Sequence, residues 1–345
     1  MRHDMAVDSL PLLPIALTSG EPAGIAAEIT AKAWLALHQK DDAVFFLIGD
    51  AEQFAQRSKE SGIELPVQRI GSAAEAATTF KFALPVLHCA LPFPSVAGVL
   101  EQHNAAAVTS AIEVAVELCL AGQAAALVTN PLQKETLYNS GFAFQGHTDF
   151  LGHLARQRNY PAHDVMMLVA GDLRAIPITV HIPLADVTRK LTTTEIVAQT
   201  RIVHADLQRF FGIKKPRLAM TGLNPHAGEN GALGTEEKTI IIPALEELRR
   251  SGIAVTGPLP ADTAFHAEAR ASYDAILCMY HDQALIPAKT IDFHGGVNVT
   301  LGLPFIRTSP DHGTALGIAG TGVANPASLI AALKLARQMS AMSCR

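Results

Sequence analysis

Short apolar runs recur along this chain, separated by stretches in which apolar side chains return every three or four positions. The runs Pro14 to Thr18, Ala43 to Ile48, Pro85 to Cys89, Ala124 to Val128, Val165 to Val169, Ile176 to Val180, Arg217 to Met220 and Ala275 to Met279 have the length and composition of buried strands. Helical patterns sit between many of them, as in AAEITAKAWLAL after the first run. This alternation predicts an α/β fold with a largely parallel core.

Two helices can be read further. Ala105 to Leu120 is apolar almost all round, with Val108, Ile112, Val116 and Leu120 on one stripe and Ala106, Ala115 and Leu118 elsewhere. Such a helix must be covered on more than one side, by a sheet or by a second subunit. In Glu236 to Arg250, Thr235 is the expected N-cap, Glu236 and Glu237 meet the positive end of the dipole, and Arg249 and Arg250 the negative end, with Pro243 perturbing its start. The segment Leu91-Pro92-Phe93-Pro94-Ser95 reads as a connection between lobes.

Several strands end in polar residues, which is how a parallel sheet presents chemistry at its carboxyl edge. The first runs into Thr18-Ser19-Gly20-Glu21-Pro22-Ala23-Gly24, either a phosphate-holding turn or a tight connection to the next helix; it fits neither G-x-G-x-x-G nor the P-loop. Leu127 to Lys134 (LVTNPLQK) is another polar exit. Gly146-His147-Thr148-Asp149 follows, a site or a helix cap with a surface histidine. The richest stretch is Tyr273 to Thr314, where Ala275 to Met279 feeds into Tyr280-His281-Asp282-Gln283. Beyond it Lys289, Asn298 and Arg307 recur at intervals of nine residues, ahead of Asp311-His312-Gly313. A cation, an amide and a guanidinium can grip a hydroxylated anion, although a solvated loop after a strand accounts for the same residues.

Composition narrows the partners. The chain has 345 residues, 49% apolar and 17% charged, with a net charge of −5, so two domains with a sizeable core are expected. No Lys/Arg run exceeds two residues, which argues against nucleic acid and acidic membrane surfaces. Cys89, Cys119, Cys278 and Cys344 form no C-x-x-C pair, and three lie in apolar runs, as core residues of a reducing compartment do. Two prolines interrupt the N-terminal apolar patch, no convincing cleavage site follows, and no long uninterrupted apolar stretch occurs, so a cytoplasmic location is expected.

Of fourteen histidines, His181, His226 and His281 each follow an apolar strand. On a parallel sheet they would gather at one edge, as three imidazoles leaving positions open on a catalytic metal, or as three independently hydrogen-bonded side chains.

The strings SGEPAGI, VTNPLQK, GHTDFL, GLNPHAGENGALGTEE, GPLPADTAF, YHDQALIPAK and GGVNVTLGLPFIRTSPDHGTAL, in this order from about Leu17 to Ala332, closely resemble the 4-hydroxythreonine-4-phosphate dehydrogenase family of the vitamin B6 pathway. That resemblance implies a two-domain isocitrate/isopropylmalate dehydrogenase-like fold, with mostly parallel sheets, helices on both faces and a cleft. The expected division is 1–130 with 305–345, and 131–304 carrying the metal ligands and the dimer contact. It implies a homodimer with the active site at the interface, NAD or NADP as hydride acceptor through residues the sequence does not identify, and a divalent metal (zinc, magnesium, cobalt or manganese). His181, His226 and His281 would be the metal ligands, one of them from the partner subunit. His147, Thr148, Lys289, Asn298 and Arg307 would bind a small phosphorylated hydroxy-amino acid. Asp282 and Lys289 are candidates to carry the proton. Asp149 stands where the family more often has Glu. Alternatives are a related dehydrogenase of phosphorylated four-carbon sugar acids or dihydrodiol carboxylates, a zinc hydrolase, and a non-catalytic metal-binding module.

Overall fold

The computed structural model describes residues 13–40, 43–144 and 146–343, so Cys344 and most of the N-terminal apolar patch lie outside it. Twelve strands form one sheet: β1 (Ile15–Thr18), β2 (Phe45–Gly49), β3 (Val67–Ile70), β4 (Leu84–His88), β5 (Ala126–Thr129), β6 (Val165–Ala170), β7 (Leu173–Thr179), β8 (Leu218–Thr221), β9 (Val255–Leu259), β10 (Ala275–Tyr280), β11 (Val297–Leu301) and β12 (Arg307–Pro310). Their order is β3-β4-β2-β1-β5-β12-β11-β6-β7-β10-β8-β9. Pairing is parallel except where β11 runs antiparallel to β12 and β6, and β6 to β7. The mostly parallel α/β architecture therefore holds. Its two halves are fused through the antiparallel centre, because β12 returns beside β5 after the chain has built the second half.

Each of the eight apolar runs lies on a strand; β3, β9, β11 and β12 have no such signature. Alternation along the strands sends side chains to two faces. On one face, Ile15, Leu17, Phe45, Leu277, Met279 and Val299 join a single continuous core beneath helices Ala26–Leu37, Thr193–Phe211, Ile242–Arg250 and Ala327–Ser343. On the other face the core is interrupted. One cluster joins Phe46, Ile48, Leu127 and Phe305 to helices Ala105–Leu120 and His147–Gln157; a second joins Leu168, Ala219, Ile276 and Cys278 to helix His281–Ile291. Helix Ala105–Leu120 buries Val108, Ile112 and Val116, with Ala111 and Ala115, and leaves Ala106 exposed. Each fully buried aliphatic or aromatic side chain in these clusters contributes about 1.5–3 kcal/mol.

Two local expectations are corrected, and one open choice is narrowed. Of the two readings of the turn after β1, the tight connection fits: the N–H groups of Glu21, Ala23, Gly24 and Ile25 are spent on Pro131, the Glu21 carboxylate, Glu21 and Thr314. The 91–95 segment does not join the halves. It is pinned within the first, Leu91 N–H to Asp50, Phe93 N–H to Asn104 and Ser95 N–H to Gln53. Thr235 makes no side-chain cap; a π turn, Glu237–Ile241, precedes helix Ile242–Arg250, where Pro243 has no N–H to donate.

Candidate active site

The interruption of the core on the second face is where the cavity opens. Register places Asn298 opposite Leu168, Thr300 opposite Met166, and Arg307 opposite both Thr300 and Leu127, so these side chains share that face. A cavity of about 510 Å³ lies above them, lined by Lys134, His147, Thr148, Asp149, Asp164, Met166, His181, Asn298, Arg307 and Asp311 among others.

Arg307 is the floor. It is 2% exposed and donates to the Thr129 hydroxyl (2.7 Å), the Thr300 hydroxyl (2.9 Å) and the Asn298 carbonyl oxygen (3.3 Å), all neutral, while its Nε has no partner. Burial pushes its pKa down to about 9, which still leaves the guanidinium charged at neutral pH. His147 opens helix His147–Gln157, with a buried and unpartnered Nε2. Burial, then Arg307 and Lys134, hold its pKa well below 6.5, so the ring is neutral. Against the same helix, burial and repulsion from Asp149 raise the pKa of Asp164.

The strands also explain the histidines. His181 follows β7 and His281 follows β10; these are parallel neighbours with Thr179 opposite Tyr280, and the two rings lie 5.7 Å apart. Burial, Lys134 and His281 lower the pKa of His181. The Asp282 carboxylate sits 2.7 Å from His281 Nδ1, which leaves Nε2 for another partner. His226 does not join this pair within one chain: among the described residues the ligand atoms of the three do not all come within 4.8 Å of one another. The group that does is Asp50, Glu52 and His88, whose atoms already serve Gln53, Leu91, Arg69 and Ala51.

His226 lies on a strained loop. Residues 226–230 all have positive φ, and His181 shares that conformation at φ 51°. The loop is held by Glu237, a 2%-exposed carboxylate that accepts the N–H groups of Leu223 and Asn224, both at 2.8 Å. Glu237 is thus a loop anchor rather than a dipole partner. Gln283 is structural too: its oxygen accepts Met279 N–H and the Thr221 hydroxyl, and its nitrogen donates to Gly222.

The cavity therefore gathers His147, Thr148, His181, Asn298 and Arg307. Lys289 reaches it through Asp311, at 2.5 Å, and His281 through His181. Lys134, Asp164, Thr129 and Thr300 are additions that no spacing pointed to; VTNPLQK was the one string that contained a signal for Lys134.

Comparison with known proteins identifies the family and the fold. The family model "Pyridoxal phosphate biosynthetic protein PdxA" matches residues 41–336. The 4-hydroxythreonine-4-phosphate dehydrogenase of Xanthobacter autotrophicus is 50% identical over 333 residues, covering 96% of this chain and 95% of that one. The crystal structure of the Klebsiella pneumoniae 4-hydroxythreonine-4-phosphate dehydrogenase superposes with a TM-score of 0.85 at 38% identity, covering 95% and 99%. A terephthalate 1,2-cis-dihydrodiol dehydrogenase from Burkholderia xenovorans gives 0.64 at 28%, covering 95% and 98%. A cavity that joins a buried guanidinium to a pair of strand-end histidines, on a chain this similar over nearly its whole length, leaves one assignment: the chain belongs to the pyridoxal phosphate biosynthetic protein PdxA family.

Proposed function

We propose that the protein oxidises 4-phosphooxy-L-threonine to 2-amino-3-oxo-4-phosphooxybutanoate, which loses CO₂ to give 3-amino-2-oxopropyl phosphate for pyridoxine 5'-phosphate synthesis. The observation that carries this reading is one cavity that joins buried Arg307, with only neutral partners, to the His181–His281 pair.

The donor set fits a divalent ion. His181 and His281 are adjacent, Asp282 fixes His281, and His226 of the partner subunit would complete three imidazole ligands. Exposed Leu184 and Ile286, on the segments that follow His181 and His281, suit a subunit contact beside them. When bound, zinc, magnesium, cobalt or manganese supplies Lewis acidity toward the hydroxyl and then the keto acid, and NAD or NADP accepts the hydride.

The chain's own groups do the rest. Arg307 presents its fork to the anionic substrate, and Asn298, His147 and Thr148 hydrogen-bond its polar atoms. Lys289, steadied by Asp311, holds a proton at Nζ, while Asp282 can take one at its carboxylate. The cytoplasm is the matching location; no helix among the described residues is long and apolar enough to cross a membrane.

The test is NADH formation that requires cofactor, metal and 4-phosphooxy-L-threonine together; product without NAD would point to hydrolysis instead. The similarity to a dihydrodiol dehydrogenase favours a second reading, in which the cavity takes a dihydrodiol carboxylate. A higher kcat/KM for that substrate, or for 4-phosphoerythronate, than for 4-phosphooxy-L-threonine would replace the first.

A further inference from the structure

A line of hydrogen bonds crosses the three strand ends that lead to His181, His281 and His226. Two residues before His181, the Thr179 hydroxyl donates to the Met279 carbonyl at 2.8 Å. Two residues before His281, the Met279 N–H donates to the side-chain oxygen of Gln283 at 2.7 Å. That oxygen also accepts the Thr221 hydroxyl at 2.7 Å, and the Gln283 side-chain nitrogen donates to the Gly222 carbonyl at 2.8 Å, four residues before His226. Gln283 is 8% exposed, and Thr221 is fully buried.

The backbone ladders show what this side chain replaces. β10 stays paired with β7 as far as Tyr280 and Thr179, close to His281 and His181. Between β10 and β8 the pairing stops at Leu277 and Met220. Beyond that point the Gln283 carboxamide stands between the strands as a peptide group would, accepting from Met279 and donating to Gly222. Gly222 is in turn the seat of the His226 loop: a Cβ on Gly222 would lie 2.8 Å from the Ala227 Cα. Glu237 ties the next two residues, Leu223 and Asn224, to the π turn, whereas Gln283 ties the base of the loop to β10.

We infer that Gln283 is a positioning residue of the metal centre: it fixes the base of the His226 loop to the strand that ends at His281. One amide then sets both the histidine pair a chain keeps and the histidine it lends to its partner. This rests on the proposed reading that His181, His281 and His226 hold a divalent ion across the subunit contact. Gln283 acts through the backbone it holds.

Cobalt(II) titration into the metal-free wild-type protein, Gln283→Met and Thr221→Val tests this, with binding read from the visible absorption of the ion. Melting temperatures are taken without metal. The cobalt Kd should rise at least about tenfold in Gln283→Met, and the absorption band should change shape as the ligand geometry loosens. Thr221→Val removes one bond to Gln283 and keeps the packing, so its Kd should rise by a smaller factor. A Gln283→Met protein that melts lower yet binds cobalt with the wild-type Kd and band overturns the inference, since Gln283 then serves the fold alone. If Gln283→Met does not fold, an unchanged Kd in Thr221→Val overturns it equally. A wild-type protein that binds no cobalt removes the metal centre and the inference with it. Gln283-dependent cobalt binding in a protein that does not oxidise 4-phosphooxy-L-threonine supports the inference and removes the reaction.

Discussion

The rings of His181 and His281 lie 5.7 Å apart because each follows one of two neighbouring parallel strands, with Thr179 opposite Tyr280. Sheet register brings the two strand ends together, and the left-handed backbone at His181 (φ 51°) completes the approach. His226, beyond β8 on the far side of β10, is 68% exposed and does not join them within one chain.

Subunit exchange tests whether a partner supplies it. His226→Ala and His281→Ala should each be inactive alone. Unfolded together in equal amounts and refolded, they should recover about a quarter of wild-type activity, since half the dimers are mixed and each mixed dimer has one complete site. Recovery near zero would mean that all three ligands come from one chain.

Arg307 carries a cost to stability beside its proposed role in binding. Its guanidinium is buried among three neutral acceptors, so no carboxylate repays its desolvation. Arg307→Met should lower kcat/KM by at least about a hundredfold, roughly 3 kcal/mol of transition-state binding. The same variant should melt at or above the wild-type temperature, because an apolar chain of similar length replaces a buried charge. A large drop in melting temperature would show that Arg307 mainly joins β5 to β12.

His147 makes stability depend on pH. Its folded pKa lies well below the unfolded value of 6.5, so between the two the unfolded chain binds a proton that the folded chain refuses. The contribution is complete above pH 6.5 and is lost as pH falls from there toward the folded pKa. Urea midpoints should therefore fall below neutrality, with His147 accounting for about 1 kcal/mol per pH unit. In His147→Gln that part of the slope should vanish; identical slopes in both proteins would place the effect on other histidines.

These sites differ in how legible they are from sequence, for physical reasons. The strands before His181 and His281 are fully buried in a parallel sheet, so they read as unbroken apolar runs. β12, Arg-Thr-Ser-Pro, contains no aliphatic residue and is buried all the same. Arg307 faces the cavity, and the Thr308 hydroxyl donates to Ala332 on a helix of the opposite face. Polarity at β11 and β12 is the site itself, and it hides the strands that carry it. Lys134 is a single lysine after a strand, and only its place in the cavity lining distinguishes it. Glu237 invites a surface role because carboxylates are rarely buried, yet its partners are backbone N–H groups thirteen and fourteen residues away.

Glu237 should control the loop that carries His226. Its two oxygens take the N–H groups of Leu223 and Asn224 and the Asn224 side-chain amide. The glycines of GLNPHAG leave room for this packing: a Cβ at Gly228 would lie 2.4 Å from a Glu237 oxygen, and a Cβ at Gly222 would lie 2.8 Å from the Ala227 Cα and 3.1 Å from the other Glu237 oxygen. Gly228 also has φ +77°, which a side chain disfavours. Glu237→Gln keeps the shape and can keep its oxygen on the two backbone N–H groups, but it turns its NH2 toward the Asn224 side-chain amide, a donor against a donor, at about 1–3 kcal/mol. Since the loop's left-handed run at 226–230 persists only where its surroundings impose it, that loss should free His226 before it unfolds the domain. Zinc affinity, measured by competition with a chromogenic chelator, should drop about 10–100-fold in Glu237→Gln and at least as far in Gly228→Ala. Affinity unchanged in both variants would detach His226 from the metal, whatever its place in the sequence motif.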